Sequence, residues 1–489
     1  MALNNMHHSW VFGSTPMTKE TDVIAHALTR FCNQLDLDAV PQAVRDRSCD
    51  LMLDAIGCAL AARQEAFAKR YSHVVFSPVF SAGSERGVIG FSQRAALRDA
   101  ALLNGILAHG LDFDDTHMAG IAHLSVSVMP TVLALGAQLN ADGRAVLRAY
   151  ITGVECGARL ASVVKGRFTT KGFHPSAVVG TFASTMAASS LMRLDQEQTL
   201  CAQGFALSMA AGTLQFLEDG AWTKRMHPGW AAQSAITAAL MGSDRIPAPQ
   251  APYLGRYGLY STHLDAADLP DIDIDIALRG LPIGADSANW ELMNVAVKPY
   301  PMCHFVHASV EAAIKLHREG VNPDDIERVT VSVPAGTVQS VCEPLDTKRR
   351  PSTDYEAKFS TPYAVASGLI RGRLGLQDLE PEAFTSDNVR RLMAKTDYVV
   401  DTDSTFPKHY SGQVSLRMRD GQVRHQSVPV NPGHAERPLD RAQVLEKFMA
   451  NGTRYFSKSH AELICDRVTH LERLPAIREL ETLLAQDPD

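Results

Sequence analysis

The sequence lacks the features that mark several large classes of protein. Its eight cysteines are scattered along 489 residues without a CxxC pair, which argues against a zinc or iron–sulfur site and indicates thiols in a reducing compartment. It has no long basic run and a net charge of −7, so a nucleic acid is not expected as a partner. Neither a bilayer-spanning apolar stretch nor the apolar core of a signal peptide is present. We therefore expect a soluble cytoplasmic protein that does not bind membranes.

The common catalytic fingerprints are also missing. The sequence has no GxGxxG, GxxxxGK[ST], HExxH or GxSxG motif, which argues against the usual nucleotide-binding, zinc-protease and hydrolase sites. A magnesium site is an alternative for four neighbouring residues, namely Asp112, Asp114, Asp115 and His117. Such a site on a helix is typical of isoprenoid synthases, but no second acidic motif follows on a later helix. We therefore expect no metal.

What is present indicates a large helical core. Apolar residues make up 45% of the chain, and they recur at helical spacing with many small residues in segments such as 95–110, 144–164 and 178–191. After about residue 290 the pattern changes to strand-like alternation at 328–333 and at 413–418, where Asp420-Gly421 predicts a type I′ hairpin turn. The predicted fold is mainly α, with a large all-helical domain (18–290 and 429–489) and an inserted smaller α+β domain (291–428).

Four short windows contain most of the candidate chemistry. Residues 104–123, 171–180, 220–229 and 298–307 hold seven of the 18 histidines, among loop-forming glycines and prolines. These histidines are His109, His117, His123, His174, His227, His304 and His307. Such clustering exceeds what a hydrophobic core needs, so it favours a functional site.

The acidic residues of the first window follow a predicted helix. Asp112, Asp114 and Asp115 would lie at or beyond its C-terminal end, where the helix dipole disfavours negative charge. They therefore need partners. One aspartate could orient a histidine and another could bind substrate, whereas the structural alternative is a capped, solvated turn.

Two histidines suit acid–base catalysis. An imidazole gains and loses a proton near neutral pH, so His123 and His174 are candidates, although a lone histidine is more often structural. His174 precedes Pro175 and a helix rich in small residues, and a helix N-terminus lowers the pKa of histidine and attracts anions.

Cations and one tyrosine complete the candidates. Lys224 lies between Trp222 and a His-Pro-Gly turn, and Lys298 precedes Pro-Tyr-Pro near the predicted domain junction. Cations at such places bind carboxylates, so they indicate an anionic substrate, although exposure is the usual state of a single lysine. Tyr363 is a candidate phenolic donor, with a core tyrosine as the alternative.

Taken in order, the four windows resemble the MmgE/PrpD family. The matching stretches are LDFDDTH, GFHPSAVVGT, TKRMHPGWAA and KPYPMCHFVHASVEAA. The resemblance implies an all-helical domain with an α+β lid, a homodimer, and an active site in the cleft with neither metal nor organic cofactor. It also implies the site residues, which are Asp112, Thr116, His123, His174, Lys224, Lys298 and Tyr363.

The resemblance implies a lyase that acts on a small di- or tricarboxylate. In our hypothesis Lys224, Lys298 and His174 hold carboxylates. His123, oriented by Asp112, transfers the proton, and Thr116 and Tyr363 donate hydrogen bonds. Cys303 has no assigned role. Decarboxylation of a cis-aconitate-like substrate and dehydration of a 2-methylcitrate-like one remain open, with epimerisation of an iminodisuccinate-like acid and a non-catalytic carboxylate-binding protein as alternatives.

Overall fold

The chain is mainly helical. The computed structural model describes residues 22–77, 83, 85–281 and 289–488. Residues 18–21, where the predicted helical domain begins, and part of the predicted domain junction near residue 290 lie outside the described residues. The helices of the first part are Val23–Gln34, Gln42–Ala62, Ala66–Val75, Leu97–His109, Ser125–Leu139, Gly143–Ser162, Arg167–Lys171, Pro175–Met192, Gln196–Met209, Phe216–Asp219, Thr223–Ser243, Leu259–His263 and Ile274–Leu278. The later helices are His307–Arg318, Val338–Val341, Leu345–Lys348, Asp354–Lys358, Thr361–Arg371, Pro381–Thr385, Asp387–Ala394, Arg441–Gly452, Lys458–Thr469 and Arg478–Leu484.

Small residues let the central helices pack with their backbones in contact. A Cβ on Gly105 would lie 2.5 Å from the Cα of Gly229, so the helices Leu97–His109 and Thr223–Ser243 touch where neither has a side chain. Beyond this crossing the first helix ends at His109, and the second begins just before Lys224. The packing of glycines therefore brings two chemically important side chains toward one place.

The buried apolar side chains form two main clusters. The larger runs from Ile24 to Val297 and resumes from Phe448 to Leu484, and the smaller runs from Met302 to Val428. The C-terminal helices thus pack on the first core, mainly through the contact of Arg441–Gly452 with Gln42–Ala62. The division at 18–290, 291–428 and 429–489 agrees with these clusters, and we keep it as a proposal.

The smaller part is built on a four-stranded sheet. Its strands lie in the order Thr396–Asp401, Ile326–Pro334, Gly412–Met418 and Val423–Val428. The first pair is parallel, with Val329 opposite Thr396, and the other pairs are antiparallel. Helices His307–Arg318 and Thr361–Arg371 pack together beside the sheet. The predicted fold class, a large helical domain with a smaller α+β domain, is confirmed.

The predicted hairpin of the last two strands is confirmed, but the predicted type I′ turn was wrong. A type I′ turn needs a positive φ at both central residues. Here Gly421 has a φ of +84° and Asp420 does not have a positive φ. Hydrogen bonds from Gly421 N–H to Met418 O and from Met418 N–H to Gln422 O close a loop of three residues instead, because glycine takes the left-handed position after a type I turn.

Two further pairs of short strands lie in the helical part. Arg86–Val88 pairs with Phe91–Ala95, and Thr116–His117 pairs with Val295–Ala296. Among the described residues, none of the helices has the length and apolar character that crossing a bilayer requires.

Candidate active site

A short strand pairing joins two distant windows of the sequence. Thr116 lies opposite Ala296 in this antiparallel pair, so the segment that leads to Lys298 runs beside the loop that carries Asp112. The Lys298 ammonium donates to Asp112 Oδ1 at 2.9 Å and to the Asp112 backbone carbonyl at 2.8 Å. The first and fourth windows are thus brought together, as the sequence predicted.

Asp112 binds a second lysine through its other oxygen. Lys224 Nζ donates to Asp112 Oδ2 at 2.7 Å, and Asp112 itself adopts a left-handed φ of +53°. Burial alone would raise the pKa of this carboxyl group, but the ammonium groups of Lys224 and Lys298 outweigh burial and hold its pKa well below the usual range. Asp112 is therefore ionised and aligns two cations side by side.

Asp114, not Asp112, contacts the imidazole of His123. Its carboxylate lies 3.0 Å from His109 Nδ1 and 3.1 Å from His123 Nδ1, which corrects the predicted pairing of His123 with Asp112. The left-handed turn at Asp112 directs the two carboxylates to different partners. Burial would raise the pKa of Asp114, yet the two histidines keep it well below the usual value.

The contacts of His123 determine which of its nitrogens can exchange a proton. Its Nδ1 lies 2.6 Å from the backbone carbonyl of Asp115 and 3.4 Å from Thr116 Oγ1. A carbonyl oxygen only accepts, so Nδ1 carries a hydrogen and donates it. Nε2 is then a base in the neutral imidazole and an acid in the imidazolium, which is the form that a catalytic histidine requires.

The imidazoles next to Asp114 form a cluster, in which the rings of His109, His123 and His174 neighbour one another. The ring centroids of His109 and His123 are 4.9 Å apart, and those of His109 and His174 are 5.6 Å apart. His174 Nδ1 lies 3.1 Å from His227 Nδ1, so one of these nitrogens donates and the other accepts. Burial holds the pKa of His174 well below the usual value and lowers that of His227 to about 4. Both rings are therefore neutral hydrogen-bonding groups at neutral pH.

The structure places Tyr363 away from this cluster. Its hydroxyl donates to the backbone carbonyl of Asp378, and its ring packs in the core of the smaller part. The alternative interpretation, a core tyrosine, describes its position. The predicted hydrogen bond from Tyr363 to substrate has no geometric support, because the phenol is already bound on its own side of the fold.

Tyr355 is the tyrosine that the sequence interpretation missed. Its hydroxyl is buried and has no hydrogen-bond partner among the described residues. Burial raises its pKa, and the negative charge of nearby Asp112 raises it further. A phenol that stays protonated beside Asp112 is a donor available to a ligand. No motif in the sequence marks Tyr355, which lies on the short helix Asp354–Lys358, eight positions before Tyr363.

Cys303 also lies near Asp112. Burial, reinforced by the Asp112 carboxylate, raises the pKa of its thiol to about 11. It is therefore a neutral thiol at physiological pH rather than a thiolate nucleophile.

Four of these side chains have the spacing of metal ligands. One nitrogen or oxygen from each of His109, Asp112, Asp114 and His123 lies within 4.8 Å of the others. However, two ammonium groups already neutralise Asp112, and Asp114 accepts from both histidines. Cations in contact with the carboxylate repel a divalent ion, so the geometry suits an anionic organic ligand better.

Comparison with known proteins agrees with this geometry. The MmgE/PrpD N-terminal domain matches residues 26–271 and the MmgE/PrpD C-terminal domain matches residues 300–472. Cis-aconitate decarboxylase from Mus musculus is 27% identical over 469 residues, which is 92% of this chain and 91% of the mouse protein. The Homo sapiens protein of the same name is 29% identical over 466 residues, with 90% of each chain covered. The one from Aspergillus terreus is 24% identical over 487 residues, with 94% and 96% covered. This chain therefore belongs to the MmgE/PrpD family and is a lyase of that family.

Proposed function

We propose that this enzyme decarboxylates cis-aconitate or a closely similar unsaturated tricarboxylate, without a metal or organic cofactor. The observation that supports this most is the pair of ammonium groups on Asp112, next to the two imidazoles on Asp114. The names of the relatives point to the same reaction. Fixed cations beside a proton donor are what the decarboxylation of an anionic substrate needs.

The lysines have donors left for substrate. An ammonium group has three N–H donors. Lys298 uses two of them on Asp112, and Lys224 uses one. The remaining donors can bind substrate carboxylates. Neutral His174 has a single N–H, which lies on Nε2 when its Nδ1 accepts from His227, and this N–H and the Tyr355 hydroxyl can supply further hydrogen bonds. The cluster is largely buried, with Asp114 fully inaccessible and His123 only 8% exposed, so each of these interactions is stronger than in water.

The bond changes balance with one proton from the enzyme. The C–C bond to the departing carboxylate breaks, and its electron pair forms a new double bond to the central carbon. The original double bond opens, and its far carbon takes a proton from Nε2 of the His123 imidazolium. Negative charge develops on the carboxylate conjugated with that carbon, where Lys224 and Lys298 stabilise it. The substrate's own conjugated double bond accepts the electron pair, so this route needs no cofactor to act as an electron sink.

The test is a product assay with three substrates. The enzyme is incubated separately with cis-aconitate, 2-methylcitrate and iminodisuccinate in the presence of a chelator, and products are followed by NMR. We expect CO2 and an unsaturated dicarboxylate from cis-aconitate, and at least about a hundredfold less turnover by His123→Asn. Loss of water from 2-methylcitrate would instead establish that the enzyme is a dehydratase. Inversion of configuration in iminodisuccinate would establish that it is an epimerase. Binding of all three without reaction would establish a carboxylate-binding protein.

The assembly and location of the protein are also proposals. The family resemblance supports a homodimer, and the scattered, unpaired cysteines support a reducing compartment such as the cytoplasm. Analytical ultracentrifugation at micromolar concentration tests the dimer, and a sedimentation coefficient that matches a 53.1 kDa monomer would contradict it.

A further inference from the structure

Three consecutive backbone carbonyls before Asp114 are each bound by a buried lysine. Lys358 Nζ donates to Leu111 O at 2.9 Å, Lys298 to Asp112 O at 2.8 Å, and Lys447 to Phe113 O at 2.7 Å. A buried carbonyl needs a donor, but backbone amides usually supply it. Three ammonium groups in a row on one short loop are therefore a specific arrangement.

The lysines come from separate parts of the fold. Lys358 ends the helix Asp354–Lys358 in the smaller part, whereas Lys447 lies on the C-terminal helix Arg441–Gly452. Lys298 lies between the two core clusters. The loop 111–113 is therefore held at the place where both parts of the molecule meet.

Lys358 and Lys447 have their own counter-ions, unlike Lys298. Lys447 Nζ lies 2.6 Å from Asp54 Oδ1 and 3.8 Å from the centre of the Phe113 ring. Lys358 Nζ lies 3.6 Å from Asp354 Oδ2. Each of the two lysines is therefore paired with an aspartate other than Asp112, and its hydrogen bond to the loop is made to a backbone carbonyl.

The loop needs such support because of its conformation. Asp112 has a φ of +53°, a left-handed geometry that non-glycine residues adopt only when their surroundings hold it. In this geometry its two carboxylate oxygens contact Lys224 and Lys298. If the loop relaxed, the two cations would lose their common anchor.

We propose that Lys358 and Lys447 are positioning residues, which fix the loop 111–113 so that Asp112 aligns Lys224 and Lys298 on the substrate. This inference rests on the proposed function for its catalytic consequence. The arrangement of the loop itself does not depend on which substrate is bound.

The experiment compares four variants with the parent. Lys358→Met removes one donor. Because Lys447→Met alone would leave buried Asp54 without its ion pair, Asp54→Asn/Lys447→Met removes both charges together. The control is Lys395→Met, since Lys395 Nζ also donates to a backbone carbonyl, that of Ile326 at 2.5 Å, which lies on the four-stranded sheet rather than on the loop. Lys358→Arg, which keeps a charged donor, tests for rescue.

Two readouts separate positioning from a purely structural role. Hydrogen exchange of the peptide that spans 110–115 should be at least about tenfold faster in the first two variants than in Lys395→Met. Per folded molecule, kcat on cis-aconitate should fall by about tenfold to a hundredfold with a smaller change in KM, because misplacement of reacting groups mainly affects the chemical step. Lys358→Arg should recover most of this loss.

The proposal is overturned if loop exchange in both variants equals that of Lys395→Met. It is also overturned if only the melting temperature falls while kcat and KM of the folded enzyme stay unchanged. A parent enzyme that releases no CO2 from cis-aconitate would refute the proposed function separately. Hydrogen exchange alone would then decide whether the lysines fix the loop.

Discussion

Lys298 binds Asp112 twice, through the carboxylate at 2.9 Å and through the backbone carbonyl at 2.8 Å. The same ammonium group therefore fixes both the side chain and the backbone of one residue. Since Lys224 binds the other carboxylate oxygen, Asp112 acts as the shared anchor of two cations. Its charge is central to both stability and activity.

Asp112→Asn should be harmful in both respects. The substitution leaves two ammonium groups in a buried site without a negative partner, which costs about 3 kcal/mol in the free energy of unfolding. We expect kcat/KM on cis-aconitate to fall at least about a hundredfold, because the cations lose their alignment. Urea unfolding and steady-state kinetics measure the two effects.

Glu327→Gln is the control for that change. Glu327 pairs with the exposed Arg417 at 2.8 Å, and exposed ion pairs contribute only about 0–1 kcal/mol. Equal losses of stability in the two variants would contradict the anchoring role of Asp112.

Asp114→Asn should reduce kcat while leaving the fold intact. The Asp114 carboxylate lies 3.1 Å from His123 Nδ1 and stabilises the imidazolium that delivers the proton, whereas a neutral asparagine removes this charge. A change of this kind lowers kcat by about a hundredfold or more. Glu291→Gln, which alters the contact of Glu291 with His117 at 3.2 Å, should leave kcat within about twofold. An unchanged kcat in Asp114→Asn would remove the support for His123 as the oriented acid.

Two tyrosine-to-phenylalanine variants should give opposite results. Tyr355→Phe removes a hydroxyl without a hydrogen-bond partner among the described residues, so stability should be kept while kcat/KM falls by about tenfold. Tyr363→Phe removes the hydrogen bond to Asp378 O, which should cost about 1 kcal/mol of stability and leave kcat/KM unchanged. Thermal unfolding and kinetics of both variants check this, and the reverse pattern would restore Tyr363 as the catalytic phenol.

Stability should decrease on acidification in two separate pH windows. The folded pKa of His227 is lowered from 6.5 to about 4, so the unfolded chain binds the extra proton between these values. Stability is therefore lost as pH falls from 6.5 to 4, by about 2–3 kcal/mol in total for this residue. The Glu291 pKa is lowered from 4.5 to about 2, chiefly by its hydrogen bond to His117, so its contribution is lost only below pH 4.5.

The variants His227→Gln and Glu291→Gln separate these windows. The first should make the stability curve less steep between pH 4 and 6.5 without flattening it, because buried His174 and His307 also have lowered pKa values. The second should make the curve less steep only below pH 4.5. Urea unfolding at closely spaced pH values measures both curves. A His227→Gln curve as steep as the parent's in the upper window would contradict the neutral, buried state of His227.

The sequence predicted which residues lie near one another better than it predicted their contacts. Short motifs rich in histidine, glycine and proline mark Asp112, His123, His174, Lys224 and Lys298, and the structure places these side chains together. Which aspartate orients His123 depends on the left-handed φ of Asp112, and that conformation is set by remote lysines rather than by local sequence. Neighbouring residues alone could not reveal it.

Other features depend on contacts between distant segments. Tyr355 and Tyr363 are eight positions apart on successive helices, so only the packing of the smaller part shows which hydroxyl remains free of protein partners. Lys358 and Lys447 are single lysines without a motif, and a single lysine in sequence is normally exposed. The fold class was predictable because periodicity and small-residue content persist over hundreds of positions, whereas a turn type depends on two dihedral angles.

The most direct test of the mechanism is to run the reaction in D2O. The parent enzyme should convert cis-aconitate into CO2 and a dicarboxylate that carries one deuterium on the former vinyl carbon, and His123→Asn should form at least about a hundredfold less of this product. If labelled product forms at the same rate in His123→Asn as in the parent, or if CO2 is released with no deuterium at that carbon, then proton delivery by His123 is contradicted.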